Sequence, residues 1–225
     1  MKKTTIFFAV IGLITSQTFL NSCNEDNADT QTEAFSKSSE IVTNNFDGTN
    51  YFQNPAIFNN VLASIKAKVG QQGAAYILTQ SDLNEFYQIA QIPDADRLPL
   101  DVVNNLISQT TALSHLPFHE ALNTLGYSNP AKDLAVSISN GYMPDLELKQ
   151  TFINLPQNEK EFLKNLNQYR FNYEQGAIGG GVTSKDGGGF IGGAIGLGIG
   201  FALAGPPGAF IGGVTGWLIG VAVDK

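Results

Sequence analysis

The chain has 225 residues, a formal charge of −7 and one cysteine. That length holds one domain of ordinary size plus shorter segments. The acidic balance argues against a nucleic-acid partner and against electrostatic adhesion to anionic lipid, because both attract basic surfaces. A single cysteine excludes an internal disulfide.

Lys2 and Lys3 precede an apolar run at 6–14, and the stretch closes on Leu20, Asn21, Ser22 and Cys23. A charged head, an apolar middle and a small-residue end form the layout of a secretory signal peptide. The run is too short to cross a membrane as a helix, which takes about 20 apolar residues. The Leu-x-small-Cys ending resembles the lipobox of bacterial lipoproteins, which is cut before the cysteine; Asn21 departs from the small or aliphatic residue usual at its position. The resemblance covers residues 1–23. It implies a signal peptide at 1–22, acylation of Cys23 and a place in the cell envelope as an outer-membrane lipoprotein, facing either the periplasm or the outside.

Removing 1–22 leaves 11 basic against 20 acidic side chains, a balance of −9. Residues 23–50 are rich in Asn, Thr, Ser and acids, which predicts a lipidated flexible tether. The acidic run 24–29 resembles the surface-export tags of Bacteroidota lipoproteins and equally suits a solvated spacer.

Residues 51–175 are long enough to bury a core, and their apolar spacing is helical. Ile57, Phe58, Val61, Leu62, Ile65 and Val69 form one helix face, with Asn54 as cap and Pro55 in the first turn. Thr79 or Ser81 starts a helix carrying Leu83, Phe86, Tyr87 and Ala90, and Asp101 starts another with Val102, Val103, Leu106 and Ile107 inward. Shorter helices are predicted near 118–126, 131–140 and 145–154, and a longer one at 157–174. That helix carries Phe162, Leu163, Leu166, Tyr169 and Tyr173, with Glu159 and Glu161 near its positive end. Prolines 93, 99, 117, 130, 144 and 156 fall between these segments. The predicted class is all-α: a compact bundle of short helices plus a C-terminal hairpin.

This segment makes no positive case for an enzyme. His115, His119 and Glu120 are the one metal-like grouping, but Pro117 stands between the histidines and breaks the i, i+4 geometry a helical metal pair needs. Asp94, Asp96 and Asp101 suit caps and solvent. Tyr51, Phe52, Phe86, Tyr87, Phe118, Phe162 and Tyr169 read as core or core edge. Catalytic residues, metal and cofactor are accordingly all predicted as none.

The last fifty residues hold 18 of the 24 glycines, and no charge occurs from 187 to 223. Residues 176–189 are predicted as a glycine-rich linker. Beyond it, stretches 190–204 and 209–223 flank Gly205, Pro206, Pro207 and Gly208, which predicts an antiparallel helical hairpin over 190–223. Gly188, Gly192, Gly196 and Gly200 fall on one stripe, and Gly208, Gly212, Gly216 and Gly220 on another. Each stripe leaves a groove for another backbone, either that of the other arm or that of another copy. The 13 glycines from 188 to 220 cost a helix in water about 6–13 kcal/mol relative to alanine. Hydrocarbon makes helix formation nearly compulsory, so the hairpin is placed in a membrane and outside the soluble bundle. Trp217, midway along its arm, fits this placement poorly, since membrane tryptophans favour interfaces.

The segment resembles the glycine-zipper segments of bacterial outer-membrane lipoproteins over about 35 residues, with the region 51–175 outside the likeness. It also resembles the hydrophobic peptides of glycine-zipper bacteriocins and contact-dependent toxins. The first likeness implies a non-enzymatic envelope lipoprotein that anchors and self-associates through its zipper, its partners being the lipid bilayer and either further copies or another membrane protein. The second implies a surface-displayed toxin whose hairpin permeabilises a target membrane.

Overall fold

The computed structural model describes residues 51–72, 78–179 and 187–223. The predicted signal peptide and tether, Cys23 included, lie outside the described residues, as does the middle of the predicted linker. Among the described residues the chain is all-α. Its helices are α1 (Pro55–Gln72), α2 (Gln80–Ile89), α3 (Leu100–Leu113), α4 (Phe118–Asn123), α5 (Asn129–Asn140), α6 (Gln150–Ile153), α7 (Gln157–Glu174) and α8 (Gly188–Val223).

Helix starts follow local chemistry. Asn54 Oδ1 accepts the Ala56 N–H at 3.1 Å, beside Pro55. Thr79 and Asp82 form a reciprocal capping box at the head of α2. Ser128 caps α5, and its own N–H and hydroxyl donate to the buried Glu159 carboxylate at 2.6 and 2.7 Å, which joins α5 to α7. Pro99, Pro117 and Pro156 stand immediately before α3, α4 and α7. The helix predicted at 145–154 is instead a 3₁₀ turn, Leu146–Leu148, followed by the single turn of α6.

Lys68 ties α1 to α2 through Asp82 and Glu85, both at 2.7 Å. Burial pushes the Asp82 carboxyl up, but hydrogen bonds from Lys68 and Thr79 outweigh it and bring it from the ordinary 3.8 down to about 2. A depressed folded pKa contributes stability that is present above the unfolded value and is lost as pH falls through the folded one. Thermal midpoints should therefore drop between about pH 4 and pH 2. Asp82→Asn should be less stable than wild type near neutrality and should show a shallower drop across that window. Parallel wild-type and variant melts across the window would contradict the assignment.

The hairpin lies at the centre of the bundle. Ala204 (φ −151°, ψ 22°) and Gly205 (φ 63°, ψ −150°) interrupt α8 and reverse its direction, with Pro206 and Pro207 opening the second arm. Gly205 adopts a backbone conformation that a side chain would strain. Helices α3 and α7 cover the hairpin most extensively, joined by α1 and α4. Residues of the bundle and of the hairpin share one hydrophobic core.

This differs from the sequence expectation of two separate units, and the reason is energetic. The glycine penalty applies to a helix that gains nothing in exchange. Here Ile195, Leu197, Ile199, Phe210, Ile211, Val214 and Trp217 are all buried. At about 1.5–3 kcal/mol for each large apolar side chain, their burial offsets the penalty within water.

Candidate functional site

The eight stripe glycines meet across the hairpin in four rungs: Gly188 with Gly220, Gly192 with Gly216, Gly196 with Gly212, and Gly200 with Gly208. At each rung the space a Cβ would occupy is filled by backbone of the opposite arm; at Gly192 the Gly220 Cα lies only 2.6 Å from that point. The rungs are mirror images about residue 204, where the backbone leaves the helix. The zipper grooves are thus used within the chain, arm against arm. The Thr215 hydroxyl is satisfied within its own helix, donating to the Ile211 carbonyl at 2.8 Å.

Sequence reasoning missed a second set of glycines. Gly189, Gly193 and Gly213 each follow a rung glycine, and each faces a large side chain. A Cβ on Gly189 would stand 2.9 Å from the Trp217 ring, one on Gly193 2.8 Å from the Tyr169 ring, and one on Gly213 2.9 Å from the Phe52 ring. In each doublet the first glycine admits the opposite arm, while the second makes a notch for an aromatic side chain. The doublets at 188–189, 192–193 and 212–213 were the available signal.

The aromatic residues read as core or core edge are all buried, and the bundle forms a sheath around the hairpin in which several of them meet its rings. Phe210 is ringed by Tyr51, Phe52, Phe58 and Phe86 at centroid distances of 5.8, 5.5, 6.1 and 6.1 Å. Tyr169 stacks on Phe190 at 5.3 Å. Trp217 meets Phe58 and Tyr173 edge-on at 6.0 and 5.9 Å, which accounts for an indole in mid-arm. Among the described residues its buried N–H finds no hydrogen-bond acceptor, which costs about 1–3 kcal/mol.

Two phenols tie the sheath to the hairpin's backbone. The Tyr127 hydroxyl donates to the Gly198 carbonyl at 2.8 Å and the Tyr169 hydroxyl to the Gly189 carbonyl at 3.4 Å. Burial raises both phenols above their ordinary range, so both remain protonated donors. The Arg170 guanidinium lies 4.9 Å from the Phe190 ring centroid at the head of the first arm. Behind the linker, Asn59 donates to the Ala177 carbonyl at 2.8 Å and accepts the Gly179 N–H at 3.0 Å.

His115 and His119 are both exposed, and His115 lies outside α4, which Pro117 precedes. No group of three His, Cys, Asp or Glu side chains suited to a metal occurs among the described residues. A polar groove of about 320 Å³ lies beside Tyr142, Glu147, Glu161, Lys164 and Gln168, and neither histidine borders it.

The fold and the site together define an all-α domain built around a glycine-zipper hairpin. By length and composition, the stretch Gly188–Ala222 is apolar enough to cross a membrane, although most of it is buried inside the domain. Comparison with protein-family profiles, curated proteins and solved structures finds no match to this chain.

Proposed function

We propose that the chain is a non-enzymatic envelope lipoprotein, acylated at Cys23 and held at the outer membrane, whose helical domain carries the zipper hairpin as a preassembled membrane-insertion unit. One observation carries the reading: the rung glycines meet between the two arms of a single hairpin. That hairpin keeps its closest packing when the sheath is removed, its backbone hydrogen bonds are internal, and residues 187–223 bring no charge into hydrocarbon. Arms at 188–203 and 206–223 rise about 24 and 27 Å, against a hydrocarbon core of about 30 Å. The tether 23–50 reaches up to about 95 Å when extended, so a lipid-anchored domain has room to turn toward the bilayer.

Because the rungs are intramolecular, association with further copies or with another membrane protein falls to the outer faces that the sheath covers. Self-association therefore follows insertion. The sheath also favours a second reading, a surface-displayed protein that permeabilises a neighbouring membrane. An anchor inserted during assembly needs no water-compatible form, whereas a hairpin that must cross water does.

The test mixes the chain carrying Cys23→Ser with phospholipid vesicles and extracts them at alkaline pH. A fraction should stay with the vesicles without any acyl chain; complete release would refute insertion. Dye leakage from the same vesicles distinguishes the permeabilising protein from the anchor.

A further inference from the structure

We infer that the turn at 202–207 is the part of this protein that first enters a bilayer, and that the lipid surface it takes is zwitterionic. The inference rests on the insertion reading above. Along α8, among side chains described, Ala202 and Leu203 are the most exposed, with Leu203 at 43%. Gly205 has nothing within 4 Å of the point where a Cβ would stand, so the outer side of the turn is open.

Charge is arranged to match. Asp186, Asp224 and Lys225 flank the far ends of the two arms, and none occurs between them. The leading end is thus uncharged, while the trailing end stays in water. The remainder of the chain, at −9 without residues 1–22, is repelled by an anionic surface within the Debye length. An apolar tip on an acidic body selects a bilayer without net charge.

Two other exposed apolar residues lie on other elements: Leu148 at 81%, between Glu147 and Lys149, and Ile153 at 49%, at the end of α6. They provide the control.

The probe is vesicles of phosphatidylcholine, with and without phosphatidylglycerol, bound by the chain carrying Cys23→Ser. Leu203→Glu places a carboxylate on the part that must cross hydrocarbon and should weaken stable binding about a hundredfold. Leu148→Glu adds the same charge elsewhere and should change binding little. Ala202→Lys repeats the test with the opposite sign, and near-UV circular dichroism checks that each variant keeps its fold. Phosphatidylglycerol should weaken binding at low salt. Wild-type insertion with Leu203→Glu binding undiminished, or with Leu148→Glu equally impaired, overturns the tip assignment and leaves insertion standing. Stronger binding to anionic vesicles overturns the lipid assignment. Absence of binding by wild type and by the sheath-opening Gly213→Leu alike removes the insertion reading, and this inference falls with it.

Discussion

Replacing Gly196 by leucine is expected to abolish the folded bundle. A Cβ there would meet the backbone of Gly212, with its carbonyl carbon 2.8 Å away, and Gly216 Cα at 3.2 Å. Neither neighbour is a side-chain end that can swing aside, so the arms must separate. Separation carries Phe210 and Ile195, both buried, away from their partners. Overpacking in a core costs about 1–3 kcal/mol where side chains yield. Backbone against backbone lies beyond that range, a large share of a domain's usual stability of about 5–15 kcal/mol. Urea unfolding followed by the fluorescence of Trp217, the one tryptophan, should show no cooperative transition. Gly126→Ala, with nothing within 4 Å, should unfold within about 0.5 kcal/mol of wild type. A wild-type midpoint for Gly196→Leu would mean that the arms do not meet at this rung.

Gly213→Leu should act in the opposite functional direction. The contacts a Cβ would make at 213 are with the Phe52 ring, at 2.9 and 3.1 Å, and with Phe58 at 4.0 Å, all in the sheath. Phe52 is fully buried, and its carbonyl accepts the Asn172 side-chain N–H at 2.6 Å. The ring therefore has little room to retreat. A leucine weakens the sheath's hold by about 1–3 kcal/mol while leaving the rungs intact. At about 1.4 kcal/mol per tenfold, the open population rises on the order of tenfold or more. Vesicle association should rise by a similar factor, whereas Gly196→Leu yields aggregate. Equal behaviour of the two variants would remove the distinction between rung and notch glycines.

Much of the bundle was legible because its helix ends are written in short-range chemistry. Thr79 with Asp82, Asn54 with Pro55, and Pro156 before a long amphipathic run act over three or four residues, and the structure places helices α1, α2 and α7 there. The hairpin and its turn were legible for the same reason. Its burial was not, since Phe52, Phe58 and Phe86 look like partners for one another until Phe210 is seen among them. Long-range contacts of that kind leave no periodic trace. The notch glycines were obscured differently: beside a four-residue period, Gly189, Gly193 and Gly213 read as extra low complexity. The mirror symmetry of the rungs about residue 204 was present in the spacing and selects arm against arm over copy against copy.

The most direct test of a sheathed, self-contained hairpin is a pair of spin-label distances in a Cys23→Ser background. Gly126→Cys and Leu203→Cys, both exposed, report sheath against tip, because the neighbouring Tyr127 holds Gly198. Ile191→Cys and Leu218→Cys, half-buried on opposite arms, report the hairpin itself. In buffer both pairs should give one short separation. With phosphatidylcholine vesicles the first pair should gain a long population while the second stays short. Tight vesicle binding with the first pair unchanged, or a second pair that spreads apart, would contradict a hairpin that leaves its sheath intact.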